Sequence, residues 1–215
     1  MTVAEREVHV WEASLDLPAE ELQRLERRLS PDERQRAERL RAPGAREEFV
    51  ACRGRLRALL AKYVGEPPER IRFRYGVHGK PALAGQVTTR FNVSHSAGRA
   101  LFAVARREVG IDLEKVRPEF PCAEIAARFF AAEEAARVTA LYEDEQRQAF
   151  FASWVRQEAC LKAAGLGLAF ELGRLAPVAR GGWSVRPLAP APGWVAAVAA
   201  AGGDFEVHHR AWPGH

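Results

Sequence analysis

Short apolar segments predict a series of strands along this chain. Some of them alternate with polar residues, because successive side chains of a strand point to opposite faces, and others are apolar runs bounded by turns. The predicted strands cover residues 8–15, 71–75, 90–95, 100–105, 109–113, 183–188, 194–199 and 205–209. Apolar residues at spacings of three and four predict helices instead. The predicted helices cover residues 18–29, 31–41, 45–64, 122–141 and 145–164.

The order of these elements predicts the fold class. Helices followed by strands occur twice along the chain, which indicates an α+β protein made of two halves. Residues 30–33 (Ser-Pro-Asp-Glu) form a strong helix start, with Ser at the cap and Glu three positions later, and Gly65 is a suitable helix end. We expect halves at 1–108 and 109–215, tightly packed because no linker separates them.

Composition places the chain among globular proteins. It has 215 residues, of which 47% are hydrophobic and 28% are charged. No apolar run is long enough to cross a membrane, and the N-terminus lacks the order of a signal peptide, so we expect a cytoplasmic protein without a membrane partner. The three cysteines, Cys52, Cys122 and Cys160, have no metal-ligand spacing, and we interpret them as buried reduced thiols.

Positive charge is concentrated early in the chain. The net charge is +4, and residues 21–60 contain eleven arginines and seven acidic residues. This excess can face phosphates or an acidic partner, although Glu–Arg pairs on solvated helices explain most of it. Nucleic-acid binding is not expected, because the aromatic and basic interleaving of single-strand binders is missing.

Four polar residues in the second half are spaced so that they can converge. Asp112 and Glu114 lie two apart on a predicted strand, so they share a face. Glu158 and Lys162 lie four apart on a predicted helix, so they also share a face. Three carboxylates repel one another unless a cation joins them, and oxygen ligands suit Mg²⁺ or Mn²⁺. Taken singly, Asp112 and Glu114 are better explained as surface acids, and Glu158 and Lys162 as an ordinary helical ion pair.

Two polar loops in the first half can contact phosphate. Lys80 follows a glycine in the segment His-Gly-Lys-Pro, although the spacing is not that of a P-loop. Ser94 and His95 lie where a predicted strand meets a turn, and hydroxyl, imidazole and backbone N–H groups all bind phosphate. A hydrolase is disfavoured, because adjacent strand residues point to opposite faces and no G-x-S-x-G motif is present.

The order and spacing of five motifs resemble the Sfp-type 4′-phosphopantetheinyl transferases. The motifs are H-G-K-P-A-L, F-N-V-S-H-S, G-I-D-L-E, R-F-F and W-x-x-x-E-A-x-x-K-A-x-G-x-G-L. The last motif is similar to the tryptophan-type branch of that family. The resemblance implies a pseudo-dimer of two α+β halves in one chain, with the active site in the cleft between them. It also implies a reaction that moves 4′-phosphopantetheine from coenzyme A to a serine of an apo carrier protein, with Mg²⁺, and releases adenosine 3′,5′-bisphosphate.

The resemblance implies roles for individual residues. Asp112, Glu114 and Glu158 match metal ligands, Glu158 also matches the acceptor of the serine proton, and Lys162 would meet the pyrophosphate. Asp112, Glu158 and Lys162 are therefore the expected catalytic residues. The expected coenzyme A contacts are Lys80 and Pro81 near the nucleotide, Ser94, His95 and Lys162 at the phosphates, and Arg36, Arg46 and Arg53 as candidates for the 3′-phosphate.

One residue departs from the family pattern, which usually has lysine immediately before the motif's glutamate. Here that residue is Gln157, rotated about 100° from Glu158 on a helix. We therefore expect it to lie off the catalytic face, and a catalytically weakened coenzyme A and carrier-binding protein of the same fold is the alternative function. The carrier is expected to be acidic and to meet Arg128, Arg137 and the Phe129–Phe130 pair, and the enzyme is expected to be a monomer.

Overall fold

The computed structural model describes residues 1–85, 87–166 and 182–212, and it confirms the α+β prediction. The helices are α1 (Ala19–Glu26), α2 (Pro31–Glu38), α3 (Ala45–Val64), α4 (Cys122–Phe129), α5 (Ala132–Thr139) and α6 (Glu143–Ala164). The strands are β1 (Glu7–Ser14), β2 (Phe73–Tyr75), β3 (Pro81–Leu83), β4 (Arg90–Ser96), β5 (Arg99–Ala105), β6 (Val109–Lys115), β7 (Trp183–Leu188), β8 (Trp194–Ala201) and β9 (Glu206–Ala211).

Two sheets carry most of the architecture. The first has the strand order β4-β5-β1-β9, and the second has the order β6-β8-β7, while β2 and β3 form a separate hairpin. Every strand contact in the two sheets is antiparallel except that between β1 and β9. Because β9 comes from the end of the chain and joins the first sheet, the last strand crosses the expected division at residue 108. That division and the pseudo-dimer symmetry stay predictions.

The alternation of β1 explains how the first sheet is covered on both faces. Trp11 points toward α3, where it joins a buried cluster with Leu56 and Phe102. Val10 points the other way and packs against the second sheet, in a cluster that contains Ile111. Strands with two buried faces need apolar residues at nearly every position, which is why β5 is almost continuously hydrophobic.

Helix α6 covers the remaining face of the second sheet. Val155, Ala159 and Ala163 pack against the alanines of β8. The helix can approach β6 closely because residue 110 is glycine: a Cβ there would lie 2.9 Å from Ala163 Cα and closer still to backbone atoms of α6. This contact fixes the distance between the strand that carries Asp112 and the helix that carries Glu158.

The predicted helix over 122–141 is wrong in one respect, because it consists of two helices, α4 and α5. Phe130 ends α4 with an extended backbone (φ −87°, ψ 158°). Its ring turns inward and stacks on Phe150 at a centroid distance of 5.3 Å, while Phe129 makes an edge contact with Trp154. Burial of Phe130 therefore competes with helix continuity, and it confirms that at least one of these two phenylalanines is part of the core.

Ion pairs engage several of the early arginines. The predicted helix start is confirmed: Ser30 N–H donates to Glu33 at 3.0 Å as part of a reciprocal capping box. Glu33 also accepts from the buried Arg57 at 2.6 Å, and Arg55 pairs with Glu21 at 3.2 Å. Glu–Arg pairing on helices thus explains part of the positive excess. None of the helices in the described ranges is long and apolar enough to span a membrane.

Candidate active site

Strand β6 presents three residues of one face to α6. Gly110, Asp112 and Glu114 alternate with Ile111 and Leu113, which point into the core between the two sheets. At Gly110 the missing side chain lets the helix touch the strand. Further along the same face, two carboxylates take the place of that contact. The period-two prediction that Asp112 and Glu114 share a face is therefore confirmed.

Lys162 and Ser94 bind the first of these carboxylates. Lys162 Nζ donates to Asp112 Oδ1 at 2.5 Å and to Ser94 Oγ at 3.1 Å. Ser94 Oγ donates to the same Asp112 oxygen at 2.9 Å. Residues from β4, β6 and α6 thus meet in one hydrogen-bonded group, and Ser94 lies within it rather than on a surface loop.

Burial and mutual repulsion control the charge of the other two carboxylates. Glu158 is 7% exposed, and its pKa rises to about 7 because of burial first, and then because of repulsion by Asp112 and Glu114. Lys162 opposes this rise. The pKa of Glu114 is also raised, by burial and then by Asp112. We call Asp112, Glu114 and Glu158 the carboxylate cluster. The negative charge of Asp112 raises the pKa values of the other two.

The carboxylate cluster has the chemistry of a divalent-cation site without a preformed ligand cage. No group of three or more His, Cys, Asp or Glu side chains is close enough to hold a metal anywhere in the described residues. However, Asp112 Oδ2 is buried and accepts no hydrogen bond from them. A hard cation would satisfy this oxygen and relieve the repulsion that raises the pKa values of Glu114 and Glu158. The residues therefore fit Mg²⁺ in donor type and in charge.

Lys80 lies beside this group but faces a separate cleft. Its ammonium donates to Glu108 at 3.1 Å, to the Val109 carbonyl at 3.1 Å and to the Ala163 carbonyl at 2.8 Å. Burial lowers its pKa, and Glu108 opposes the shift. An ammonium has three donors, so these contacts use its capacity and tie the β2–β3 hairpin to β6 and α6. Lys80 and Pro81 both line a cleft of about 230 Å³.

The arginine candidates separate into two groups. Arg36 and Arg53 line a second cleft of about 310 Å³ together with His95 and Phe49. His95 is exposed and lies 3.3 Å from a carboxylate oxygen of Glu48. Arg46 is not among the residues that line this cleft, and it pairs with Glu26 at 2.5 Å.

Ser94 and His95 therefore serve different places, as the alternation of a strand requires. Ser94 is buried toward the carboxylate cluster, and His95 is exposed at the arginine cleft. The structure does not bring all the predicted coenzyme A residues into one pocket. It distributes them around the carboxylate cluster, on the hairpin side and on the α3 side.

A larger cleft, of about 720 Å³, lies elsewhere, where β1 and β9 end. It contains the Glu12–Arg99 ion pair and Leu188, and none of the predicted site residues. Choosing the site by cleft volume alone would therefore select a region without the carboxylate cluster, so the chemistry of the side chains is the better guide to the site.

Sequence reasoning missed two polar neighbours of the site. Ser96 Oγ donates to Glu114 at 3.3 Å, and Glu108 holds Lys80 and Arg90 together. The signal for Ser96 was available, because it lies two residues after Ser94 on the same strand and shares its face. Nothing in the local sequence pairs Glu108 with Lys80, which is 28 residues earlier.

Known proteins resemble this chain along most of its length. A family model described as the 4′-phosphopantetheinyl transferase superfamily matches residues 108–200. The 4′-phosphopantetheinyl transferase HetI of a Nostoc species is 39% identical over 219 residues, covering 94% of this chain and 91% of that protein. The 4′-phosphopantetheinyl transferase Sfp of Bacillus subtilis is 30% identical over 156 residues, covering 73% and 69%. The AcpT enzyme of Escherichia coli is 38% identical over 128 residues, covering 59% and 62%.

These similarities confirm the family that the order of the motifs predicted. The matched region of the family model contains β6 and α6, and with them the whole carboxylate cluster and Lys162. The similarity to HetI extends over nearly the entire chain. The chain belongs to the 4′-phosphopantetheinyl transferase superfamily.

Proposed function

We propose that this enzyme transfers 4′-phosphopantetheine from coenzyme A to a serine hydroxyl of an apo carrier protein, and that the carboxylate cluster and Lys162 are its catalytic centre. The observation that carries the proposal is the meeting of Asp112, Ser94 and Lys162 beside Glu158, on elements from both sheets. In the reaction the serine oxygen bonds to phosphorus, and the bond to adenosine 3′,5′-bisphosphate breaks.

Glu158 is suited to accept the serine proton. In the metal-free protein, burial together with like charges raises the pKa of Glu158 to about 7. A bound cation relieves part of that repulsion, so the carboxylate is then ionised at neutral pH and can accept a proton. No hydrogen bond from the described residues occupies its carboxylate, so an incoming hydroxyl or a bridging water can approach it. Asp112 is held differently, since Ser94 and Lys162 both donate to it.

Lys162 provides positive charge for the pyrophosphate. Its side chain is 29% exposed, so the ammonium reaches the rim of the site while it keeps its contact with Asp112. Negative charge develops on the leaving phosphate, and a fixed cation at that point lowers the barrier. Asp112 Oδ2, Glu114 and Glu158 would hold Mg²⁺, which supplies further neutralisation of the pyrophosphate when bound.

The cleft at Lys80 and the cleft at Arg53 are proposed to bind different parts of coenzyme A. The cleft at Lys80 and Pro81 opens beside the C-terminal end of α6, and we assign the nucleotide to it. Arg36 and Arg53 at the other cleft provide positive charge for the 3′-phosphate, and His95 beside them provides an imidazole nitrogen for hydrogen bonding. Arg46 is a weaker candidate because it pairs with Glu26 outside the lining of that cleft.

The carrier surface is assigned by charge and exposure. Arg128 is exposed on α4 and lies over the ring of Phe129, which is itself partly buried against Trp154. Arg137 is exposed on the neighbouring α5. Complementary charge speeds the encounter with an acidic partner more than it tightens binding, so these arginines are proposed to guide the carrier to the site.

Gln157 gives no support to the weakened-binder alternative. Its Nε2 donates to Glu134 of α5 at 2.8 Å, and the residue is buried. This contact points away from β6, as the rotation of one residue on a helix requires. The departure from the family pattern therefore leaves the carboxylate cluster intact.

The direct test is the intact mass of apo carrier proteins after incubation with the enzyme, coenzyme A and Mg²⁺. A panel of fatty acid, polyketide and peptide carriers would show which class gains the phosphopantetheine mass. Gln157→Lys should keep the activity or raise it. Coenzyme A binding measured by calorimetry, without a mass gain on any carrier, would favour the weakened binder instead.

A further inference from the structure

Two edge strands from different sheets lie side by side next to the carboxylate cluster. β4 ends the order of the first sheet, and β6 ends the order of the second. They are joined through side chains on β4, which accept hydrogen bonds from backbone N–H groups of β6. The bonds are Ile111 N–H to Asn92 Oδ1 at 2.9 Å, Leu113 N–H to Ser94 Oγ at 3.3 Å and Lys115 N–H to Ser96 Oγ at 3.4 Å. We call Asn92, Ser94 and Ser96 the polar ladder.

The polar ladder satisfies backbone groups that the second sheet leaves open. β8 pairs with β6 on one side only, and the N–H groups of residues 111, 113 and 115 alternate with those that face β8. Ile111 and Leu113 are buried, so their N–H groups need a partner within the protein. Acceptors at every second residue of β4 match this need and set a single register between the strands.

The same side chains also reach the carboxylates. Ser94 donates to Asp112, and Ser96 donates to Glu114, so each hydroxyl accepts from the backbone of β6 and donates to an acid of β6. Asn92 is different: it is buried and accepts a hydrogen bond from the Ile111 N–H, and within the described residues it has no hydrogen bond to a carboxylate. Its influence on the site is transmitted through the position of the strand.

We propose that Asn92 and Ser96 are positioning residues. They hold β6 at a fixed register and distance relative to β4, so that Asp112 and Glu114 face Glu158 on α6. This inference rests on the proposed role of the carboxylate cluster in holding a divalent cation. Ser96 acts on the orientation of Glu114, and Asn92 acts on the backbone that precedes Asp112. Neither side chain is assigned to substrate or to proton transfer.

The variants that separate this role from general stability are chosen from the ladder itself. Ser96→Ala removes the hydroxyl, and Ser96→Thr restores it at a position that is only partly buried, so the added methyl group has room. Asn92→Ala removes the acceptor of the Ile111 N–H. Ser184→Ala is the matched control, because Ser184 lies on β7 and donates to the Gly202 carbonyl at 3.0 Å, away from β6.

The experiment is a calorimetric titration of Mn²⁺ into each full-length variant with coenzyme A present, after folding is verified by circular dichroism. Loss of an outer partner of a metal ligand typically weakens metal affinity about 10–100-fold, so Ser96→Ala, which removes the donor to Glu114, should weaken Mn²⁺ binding at least about tenfold. Asn92→Ala should also weaken Mn²⁺ binding, because β6 loses the acceptor that holds the Ile111 N–H. Ser96→Thr and Ser184→Ala should bind as the wild type does.

Each outcome decides between the two claims. A wild-type chain that binds no Mn²⁺ would refute the metal role of the carboxylate cluster, and with it the purpose assigned to the ladder. Wild-type affinity in both Ser96→Ala and Asn92→Ala would refute the ladder alone. If Asn92→Ala fails to fold, the comparison of Ser96→Ala with Ser96→Thr still decides, because a partly buried hydroxyl is a milder loss. Equal weakening in Ser184→Ala would also overturn the proposal.

Discussion

The substitution Gly110→Ala adds a single methyl group and should push apart β6 and α6, the two elements that carry the carboxylate cluster. A Cβ at this position would lie 2.9 Å from Ala163 Cα, and closer still to the Ala159 carbonyl oxygen and the Ala163 nitrogen. All three are backbone atoms of α6, so no side-chain rotation can relieve the contact. Non-bonded carbons are best placed about 3.5–4.0 Å apart, so β6 and α6 must move apart by roughly 1 Å.

The cost of this movement has two parts. Overpacking a core costs about 1–3 kcal/mol, and we expect the upper end, about 3 kcal/mol of unfolding free energy, because backbone meets backbone. The separation also shifts Asp112 relative to Glu158. A displacement of about 1 Å at a catalytic site costs about a hundredfold in rate, so the variant should be slow even where it is folded.

The assay pairs urea unfolding with the rate of carrier modification, measured at a temperature at which circular dichroism shows the variant to be folded. Gly203→Ala is the matched control, since a Cβ there meets nothing within 4 Å and the backbone is outside the left-handed region. A Gly110→Ala variant that stays within about 0.5 kcal/mol of the wild type in stability, the range of neutral surface changes, and retains its rate would refute the proposed clash between β6 and α6.

Three further predictions concern charge. Glu158→Gln should abolish transfer yet stabilise the metal-free protein by up to about 3 kcal/mol at pH 8. The pKa of Glu158 rises from 4.5 to about 7 on folding, so the wild type loses stability as pH rises through that window. Urea unfolding at pH 4 should therefore show no difference in stability between the variant and the wild type. Lys80→Met should lower the melting temperature, because the carbonyls of Val109 and Ala163 lose their donor; an unchanged melting temperature would contradict the structural role of these contacts. Burial and then Arg210 lower the pKa of His9 below 6.5, so the wild type should lose stability as pH falls below that value. His9→Gln should flatten this pH dependence of the melting temperature. The same pH dependence in the variant and the wild type would contradict the role of His9.

Local patterns were sufficient to predict much of the site. Asp112 and Glu114 share a face because a strand has a period of two, and Glu158 and Lys162 share a face because a helix returns after four residues. The capping box at Ser30 and Glu33 depends on neighbours within one turn, and it formed as predicted. These features need no knowledge of the distant chain.

Other features depend on contacts between distant segments. Phe130 breaks a continuous helical pattern because its ring stacks on Phe150, 20 residues later. Lys80 is bound by carbonyls from β6 and α6, so its sequence neighbours could not indicate that its donors are engaged. The side-by-side placement of β4 and β6 also comes from tertiary packing, although the regular spacing of Asn92 and Ser96 was visible.

Substitution of Asp112 shows whether the carboxylate cluster with Lys162 performs the transfer. The measurement is the time course of carrier mass for the wild type and for Asp112→Asn, with coenzyme A and Mg²⁺, on the carrier that the wild type modifies fastest. The amide keeps the shape of the side chain and removes its charge beside Lys162. Losing one fixed electrostatic group of a catalytic site costs about 10²–10³-fold in rate, so we expect Asp112→Asn to be at least about a hundredfold slower than the wild type. Transfer by Asp112→Asn at the wild-type rate would contradict this role of the carboxylate cluster.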